Sequence, residues 1–177
     1  MQRILIIATD GYEQSELTEP KRLLEEAGAE VTIASLMPGE IRGWDQKDWG
    51  ESIAVDITIK DIATEDYDAL LLPGGQMNPD ILRMEHQVIE IVRAFDAAQK
   101  PIAAICHAPW LLAEADIIEG RSVTGWPSIR TDLANAGAAV VDEEVTVDGN
   151  LITSRKPGDI PAFTDALMAA LEMVPAD

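Results

Sequence analysis

The sequence predicts an α/β fold of the flavodoxin-like kind: a doubly wound, mostly parallel sheet with helices on both faces and a small added β-hairpin. Three observations carry this expectation. Short, uniformly apolar runs of strand length recur along the 177 residues, as parallel strands buried on both faces require. Segments with helical spacing of apolar residues separate them, giving the β-α-β order of a doubly wound sheet. Residues of catalytic type stand just after three of these runs, at the carboxyl ends where such sheets gather their functional groups.

Taken in order, residues 3–8 form an apolar first strand. Residues 16–27 place Leu17, Leu23, Leu24 and Ala27 at helical spacing and stop at Gly28, a C-cap signal. Residues 30–35 read as the second strand. Residues 36–60 interrupt the rhythm with Pro38-Gly39, Gly43 and Gly50, although alternation over 53–59 suggests an added extended segment. A buried strand at 69–72 ends in Pro73-Gly74-Gly75, and a helix over 87–99 carries Val88, Ile91, Val92 and Phe95 on one face. The apolar run 101–105 is followed by Cys106 and a helical stretch at 110–114. Strands are expected at 122–124 and 138–141, with a helix at 128–135 closed by Gly137. A hairpin over 145–153 turns at Asp148-Gly149-Asn150, and the last helix covers 159–173. No repeat, low-complexity tract or linker interrupts the chain, so residues 1–177 are expected to form one domain.

Composition narrows the function classes. A chain that is 47% hydrophobic and 25% charged suits an ordinary globular core, and no apolar run approaches the ~20 residues of a membrane span. The opening Met1-Gln2-Arg3 and the apolar residues after it imitate a short signal peptide. They run into Asp10-Gly11 without a cleavage site, and a first strand is the better reading. One cysteine excludes an intrachain disulfide, and a cytoplasmic location is expected. The 32 acidic and 13 basic residues give a formal charge of -19, which argues against nucleic acid and anionic membrane as partners. The sequence has no metal-ligand cluster, Gly-x-Gly-x-x-Gly or Walker loop, and no cofactor is expected.

The chemistry concentrates in Ala104-Ile105-Cys106-His107-Ala108. A small-x-Cys-x-small pattern at a strand-to-helix corner is the thiol form of a nucleophile elbow, whose small neighbours let strand and helix approach closely. A thiol there, at the start of a helix, is placed to ionise. Gly74-Gly75 is expected to let the backbone approach a substrate oxygen, with a glycine N–H and that of His107 forming an oxyanion hole. Glu13 and Glu16, three apart at the first strand-to-helix crossing, have their carboxyls on one side. A carboxyl facing Cys106 should be a protonated acid donating a hydrogen bond, because a carboxylate would repel a thiolate. His107 follows the cysteine directly, so a Cys–His pair needs a particular geometry. The other histidine, His86, heads a helix away from the strand ends, which argues against a remote histidine base.

Five separated motifs resemble one family in the right order. They are Asp10-Gly11-Tyr12-Glu13-Gln14-Ser15-Glu16-Leu17, Leu72-Pro73-Gly74-Gly75, Asn78-Pro79-Asp80, Ala104-Ile105-Cys106-His107-Ala108-Pro109, and Val147-Asp148-Gly149-Asn150-Leu151-Ile152-Thr153-Ser154-Arg155. The chain is similar to the PfpI-type intracellular peptidases, within the superfamily that includes class-I glutamine amidotransferases and protein deglycases. The resemblance implies that Cys106 is the nucleophile, Glu16 the acid hydrogen-bonded to it, Glu13 a pocket residue and His107 the triad histidine. It also implies that the acidic partner of His107 comes from a neighbouring subunit. Asp80 matches that position, in a loop one residue longer than in the archaeal peptidase form. A homo-oligomer follows, a dimer at minimum or a hexamer. The leading expectation is a glutathione-independent glyoxalase or deglycase acting on small 2-oxoaldehydes or their protein adducts. The alternatives are a cysteine peptidase with an intersubunit Cys-His-Asp triad, and a non-catalytic redox sensor or chaperone using the same cysteine.

Overall fold

Strands buried on both faces need a core on each side of the sheet, and both cores are present. The computed structural model describes residues 1–176. Its strands are β1 (Arg3–Ile7), β2 (Glu30–Ser35), β3 (Glu40–Asp45), β4 (Asp48–Ala54), β5 (Ile57–Thr58), β6 (Ala69–Leu72), β7 (Ile102–Ile105), β8 (Ser122–Val123), β9 (Ala139–Val140), β10 (Thr146–Asp148) and β11 (Leu151–Ser154). The helices are α1 (Gln14–Glu26), α2 (Met77–Leu82), α3 (His86–Ala97), α4 (Pro109–Glu114), α5 (Arg130–Asn135) and α6 (Ile160–Ala170).

Seven strands form the central sheet in the order β10-β11-β7-β6-β1-β2-β5. Every pairing is parallel except that of β10 with β11. Alternate side chains of β1, β6 and β7 go to opposite faces. Leu5, Ile7, Leu70, Leu72, Ile102 and Ala104 pack with Val88, Val92 and Phe95 of α3 and Leu111 of α4. Ile4, Ile6, Leu71, Ala103 and Ile105 pack on the other side with Leu17 and Leu24 of α1 and Phe163 and Leu167 of α6. From β1 the chain moves to β2 on one side and then to β6 on the other, so the order reverses between β1 and β6. A crevice opens at such a switch point, beyond the carboxyl ends of the strands.

Several elements differ from expectation. Residues 36–60 hold an antiparallel hairpin of their own, β3 with β4, in which Ile41 faces Ile53 and Trp44 faces Trp49. A bulge between Arg42 and Trp44 and a left-handed Gln46 (φ 58°) at the tip disrupt the alternation that would have announced it. The extended segment expected over 53–59 is split between the end of β4 and the two-residue edge strand β5. Residues around Asn78-Pro79-Asp80, read as a loop, are the six-residue helix α2, in which Pro79 sits in the first turn where its missing N–H costs nothing. The strands near 122 and 139 pair with each other as β8 and β9, in a separate parallel two-stranded sheet. Among the described residues, no helix is long and apolar enough to cross a membrane.

Candidate active site

The elbow is a backbone feature before it is a chemical one. β7 ends at Ile105, and Cys106 has φ 65°, the left-handed region that costs an L-residue about 1–2 kcal/mol. Two flanking segments hold it there: the Cys106 N–H donates to Ser154 O at 3.0 Å, and its carbonyl accepts the Trp126 N–H at 2.8 Å. Cys106 is 5% exposed. α4, which follows, has only six residues, so the polar groups that favour a thiolate are mainly the backbone N–H groups of Gly75 and His107, which face the sulfur. Burial and then the charge of Glu16 push the thiol upward against them.

Glu16 lies in the first turn of α1 and is completely buried. Its Oε1 accepts the Gly74 N–H at 2.9 Å, while Oε2 has no hydrogen-bond partner among the described residues. Burial, reinforced by the charge of Glu13, raises the carboxyl from 4.5 to about 8, against the lowering effect of the Gly74 N–H and the Cys106 thiol. Glu16 is therefore a neutral acid at pH 7, with Oε2 the atom free to carry the proton. A neutral Glu16 also removes the charge that opposes ionisation of Cys106.

Gly74 makes this proximity possible. A Cβ there would lie 2.5 Å from Glu16 Oε1 and 2.6 Å from both Cys106 Cβ and Ile105 O. Its N–H is committed to Glu16, so of the two glycines only Gly75 offers an N–H to the sulfur side of the site. Gly75 has φ 81°, and a Cβ on it would meet Gly11 O at 2.5 Å and Glu13 N at 2.6 Å. Asn78, fully buried, staples these turns together. Its Nδ2 donates to Pro73 O at 2.9 Å and Gly74 O at 3.1 Å, and its Oδ1 accepts the Thr9 N–H at 2.8 Å.

His107 Nδ1 is 3.2 Å from Cys106 Sγ, so the adjacent pair does share one side of the turn. Burial lowers the imidazole pKa, leaving it neutral at pH 7 and able to accept the thiol proton. Glu13, the residue that precedes α1, accepts the Gln46 N–H through Oε1 at 3.2 Å, and burial raises its pKa. Asp80 is exposed on α2 and does not line the cavity at Cys106.

That cavity measures about 410 Å³. Cys106, Glu16, His107 and Gly75 form its buried floor, and Glu13 stands beside them. Sequence reasoning missed the rim: Trp44, Gln46, Met77, Trp126 and Pro157. The only local signals were tryptophans in turn-rich segments, at 44, 49 and 126. Among the described residues, no group of three or more His, Cys, Asp or Glu is placed to hold a metal ion.

Comparison with known proteins gives a consistent picture. A profile of the DJ-1/PfpI family matches residues 2–170. General stress protein 18 of Bacillus subtilis is 43% identical over 173 residues, covering 97% of this chain and 98% of that protein. The protein named deglycase PfpI from Pyrococcus furiosus is 40% identical over 161 residues, 91% of this chain and 94% of its own. The crystal structure of Drosophila melanogaster DJ-1beta superposes with a TM-score of 0.85 at 34% identity, covering 97% of this chain and 90% of that one.

Proposed function

This chain belongs to the DJ-1/PfpI family, and from that premise we propose that it is a cysteine-dependent stress-response enzyme. Its substrates are small 2-oxoaldehydes or their protein adducts, in the manner of a glutathione-independent glyoxalase or deglycase. One observation carries the reading: a buried thiol has an imidazole nitrogen 3.2 Å away and faces a fully buried carboxyl that desolvation pushes towards its acid form. That arrangement supplies a proton acceptor and a proton donor around one sulfur.

The steps follow from those positions. His107 Nδ1 takes the thiol proton as sulfur attacks the aldehyde carbon. A C–S bond forms, and the carbonyl π pair moves to oxygen, which faces the Gly75 N–H and regains the proton. The product is a hemithioacetal. His107 or Glu16 then carries the proton on the first carbon to the neighbouring ketone carbon, through an enediol, leaving a thioester. Water cleaves the C–S bond, releasing a 2-hydroxy acid and the free thiol. The sum is aldehyde plus one water. An early protein adduct presents the same carbon once its amine or thiol leaves.

A cysteine peptidase is the second reading, favoured by the Cys106–His107 contact. Either reaction gains from an acid on the far side of His107, and Asp80 of a second copy fits that role. The helix that bears Asp80 also exposes Met77 and Ile81, and Met84 just beyond it, an apolar stripe suited to contact between copies.

The decisive assay measures lactate formed from methylglyoxal without glutathione, for the native protein and Cys106→Ser. Lactate from the native protein alone supports the reading. Equal rates in both, or none in either, would sink it, and cleavage of a labelled peptide that is lost in Cys106→Ala would then favour the peptidase.

A further inference from the structure

We propose that Trp126 and Trp110 are positioning residues for His107: the two indoles bracket its imidazole, keep Nδ1 aimed at the thiol and stabilise the imidazolium formed when the proton moves. This rests on the reading of His107 as the proton acceptor of Cys106.

The geometry is that of a clamp. The imidazole stacks on Trp126 with centroids 5.7 Å apart and planes 22° from parallel. Trp110 meets it edge-on from another direction, at 5.2 Å and 62°. One is anchored through its backbone and the other through its ring. The backbone N–H of Trp126 donates to the carbonyl of Cys106 at 2.8 Å, tying the stacking residue to the nucleophile's own peptide. Trp110 donates Nε1–H to Asp132 Oδ2 at 2.9 Å, and the Arg83 guanidinium lies 5.3 Å from its ring centre. Arg83 pairs in turn with Glu114 at 3.2 Å.

His107 needs such a device. Among the described residues its imidazole makes one hydrogen-bond contact, the one to Cys106, so no acid within the chain orients it as a third member orients the base of a triad. Rotation about χ1 would take Nδ1 away from the sulfur, and the aromatic planes oppose that rotation. Trp126 is 36% exposed on the cavity rim, and the sheet cores close without it.

The clamp also bears on charge. A cation over the face of the Trp126 indole gains roughly two- to thirtyfold in its equilibrium, in opposition to the burial that disfavours it. The other titratable or charged groups nearby are the Glu16 and Glu13 carboxyls in the cavity, with Asp132, Arg83 and Glu114 behind Trp110. Changing Trp126 leaves all of them in place.

Iodoacetamide alkylation of Cys106, the only cysteine, followed against pH, tests the proposal without any substrate. His107 is titrated in parallel by NMR; it is one of only two histidines. Trp126→Leu is expected to lower the alkylation rate at pH 7 about three- to tenfold and to shift the His107 titration to lower pH. Trp126→Phe, which keeps an aromatic face, should recover most of both, and Asp132→Ala should produce a smaller change in the same direction by freeing Trp110. The proposal is overturned if Trp126→Leu alkylates and titrates like the native protein, or if Phe rescues nothing. Failure of aldehyde turnover alone would count against the proposed reaction and not against the clamp.

Discussion

Replacing Glu16 with Gln separates the thermodynamic role of its proton from its chemical role. In the native fold the carboxyl titrates at about 8, against 4.5 for the unperturbed group. Below pH 4.5 it is protonated whether the chain is folded or not, and it contributes no pH dependence. Between 4.5 and about 8 the unfolded chain loses this proton while the folded chain keeps it, so stability falls as pH rises. At 1.36 kcal/mol per pH unit, the loss reaches about 3 kcal/mol at pH 7 and about 5 kcal/mol above pH 8. Glutamine cannot ionise, yet its carbonyl can still accept the Gly74 N–H. Glu16→Gln should therefore match the native protein near pH 4.5 and become progressively more stable towards pH 8. Urea unfolding of both proteins at half-unit pH steps measures the gap, and subtraction cancels the common titration of the other carboxyls. Turnover should drop meanwhile, because the amide cannot pass a proton. A stability gap that is flat with pH, or that closes as pH rises, would refute the argument that burial holds Glu16 in its acid form.

Other substitutions test the scaffold and the assembly. Gly74→Ala should destabilise by about 1–3 kcal/mol through overpacking and slow Cys106 alkylation, since the new methyl group falls between Glu16 and Cys106; thermal melting and alkylation rates check both. Asn78→Ala strips the side-chain partner from the Thr9 N–H and the Pro73 carbonyl, while the Gly74 carbonyl keeps the Glu13 N–H; at about 1–3 kcal/mol for each buried group left unsatisfied, urea midpoints should fall accordingly. If Asp80 serves a second copy, Asp80→Ala and Cys106→Ala should each lose activity, and mixing the two proteins should restore part of it. Strictly additive residual rates in the mixture would exclude the shared site.

Legibility in the sequence followed the range of the contact. Cys106, Gly74 and Gly75, and Glu13 with Glu16, each sit at the end of a short apolar run, and strand order alone brings such ends together. Their approach could be read because it depends on local pattern plus one topology. The hairpin β3–β4 could not, because its pairing is set by a bulge and a left-handed glutamine, and its anchorage by the Tyr12 carbonyl, which accepts the Trp44 N–H. Trp126 was not legible for a related reason: it reaches the site from beyond the end of β8, a two-residue strand outside the main sheet. The relation expected of Asp80 lies between copies, and no local strand or helix pattern encodes it.

The floor and the rim of the cavity come from different parts of the architecture. The reacting groups stand on the ends of β1, β6 and β7, locked by buried hydrogen bonds, whereas Trp44 and Gln46 belong to a hairpin that shares no strand with that sheet. It is fastened by the Gly11–Arg42 and Tyr12–Trp44 backbone bonds and by the Glu13, Asp10 and Gln14 side chains. Changes in the hairpin that keep the Gln46–Glu13 bond can therefore accumulate without moving the backbone of the elbow. The fold thus offers a fixed reaction centre with an interchangeable entrance, and divergence of substrate preference among relatives has an obvious place to begin.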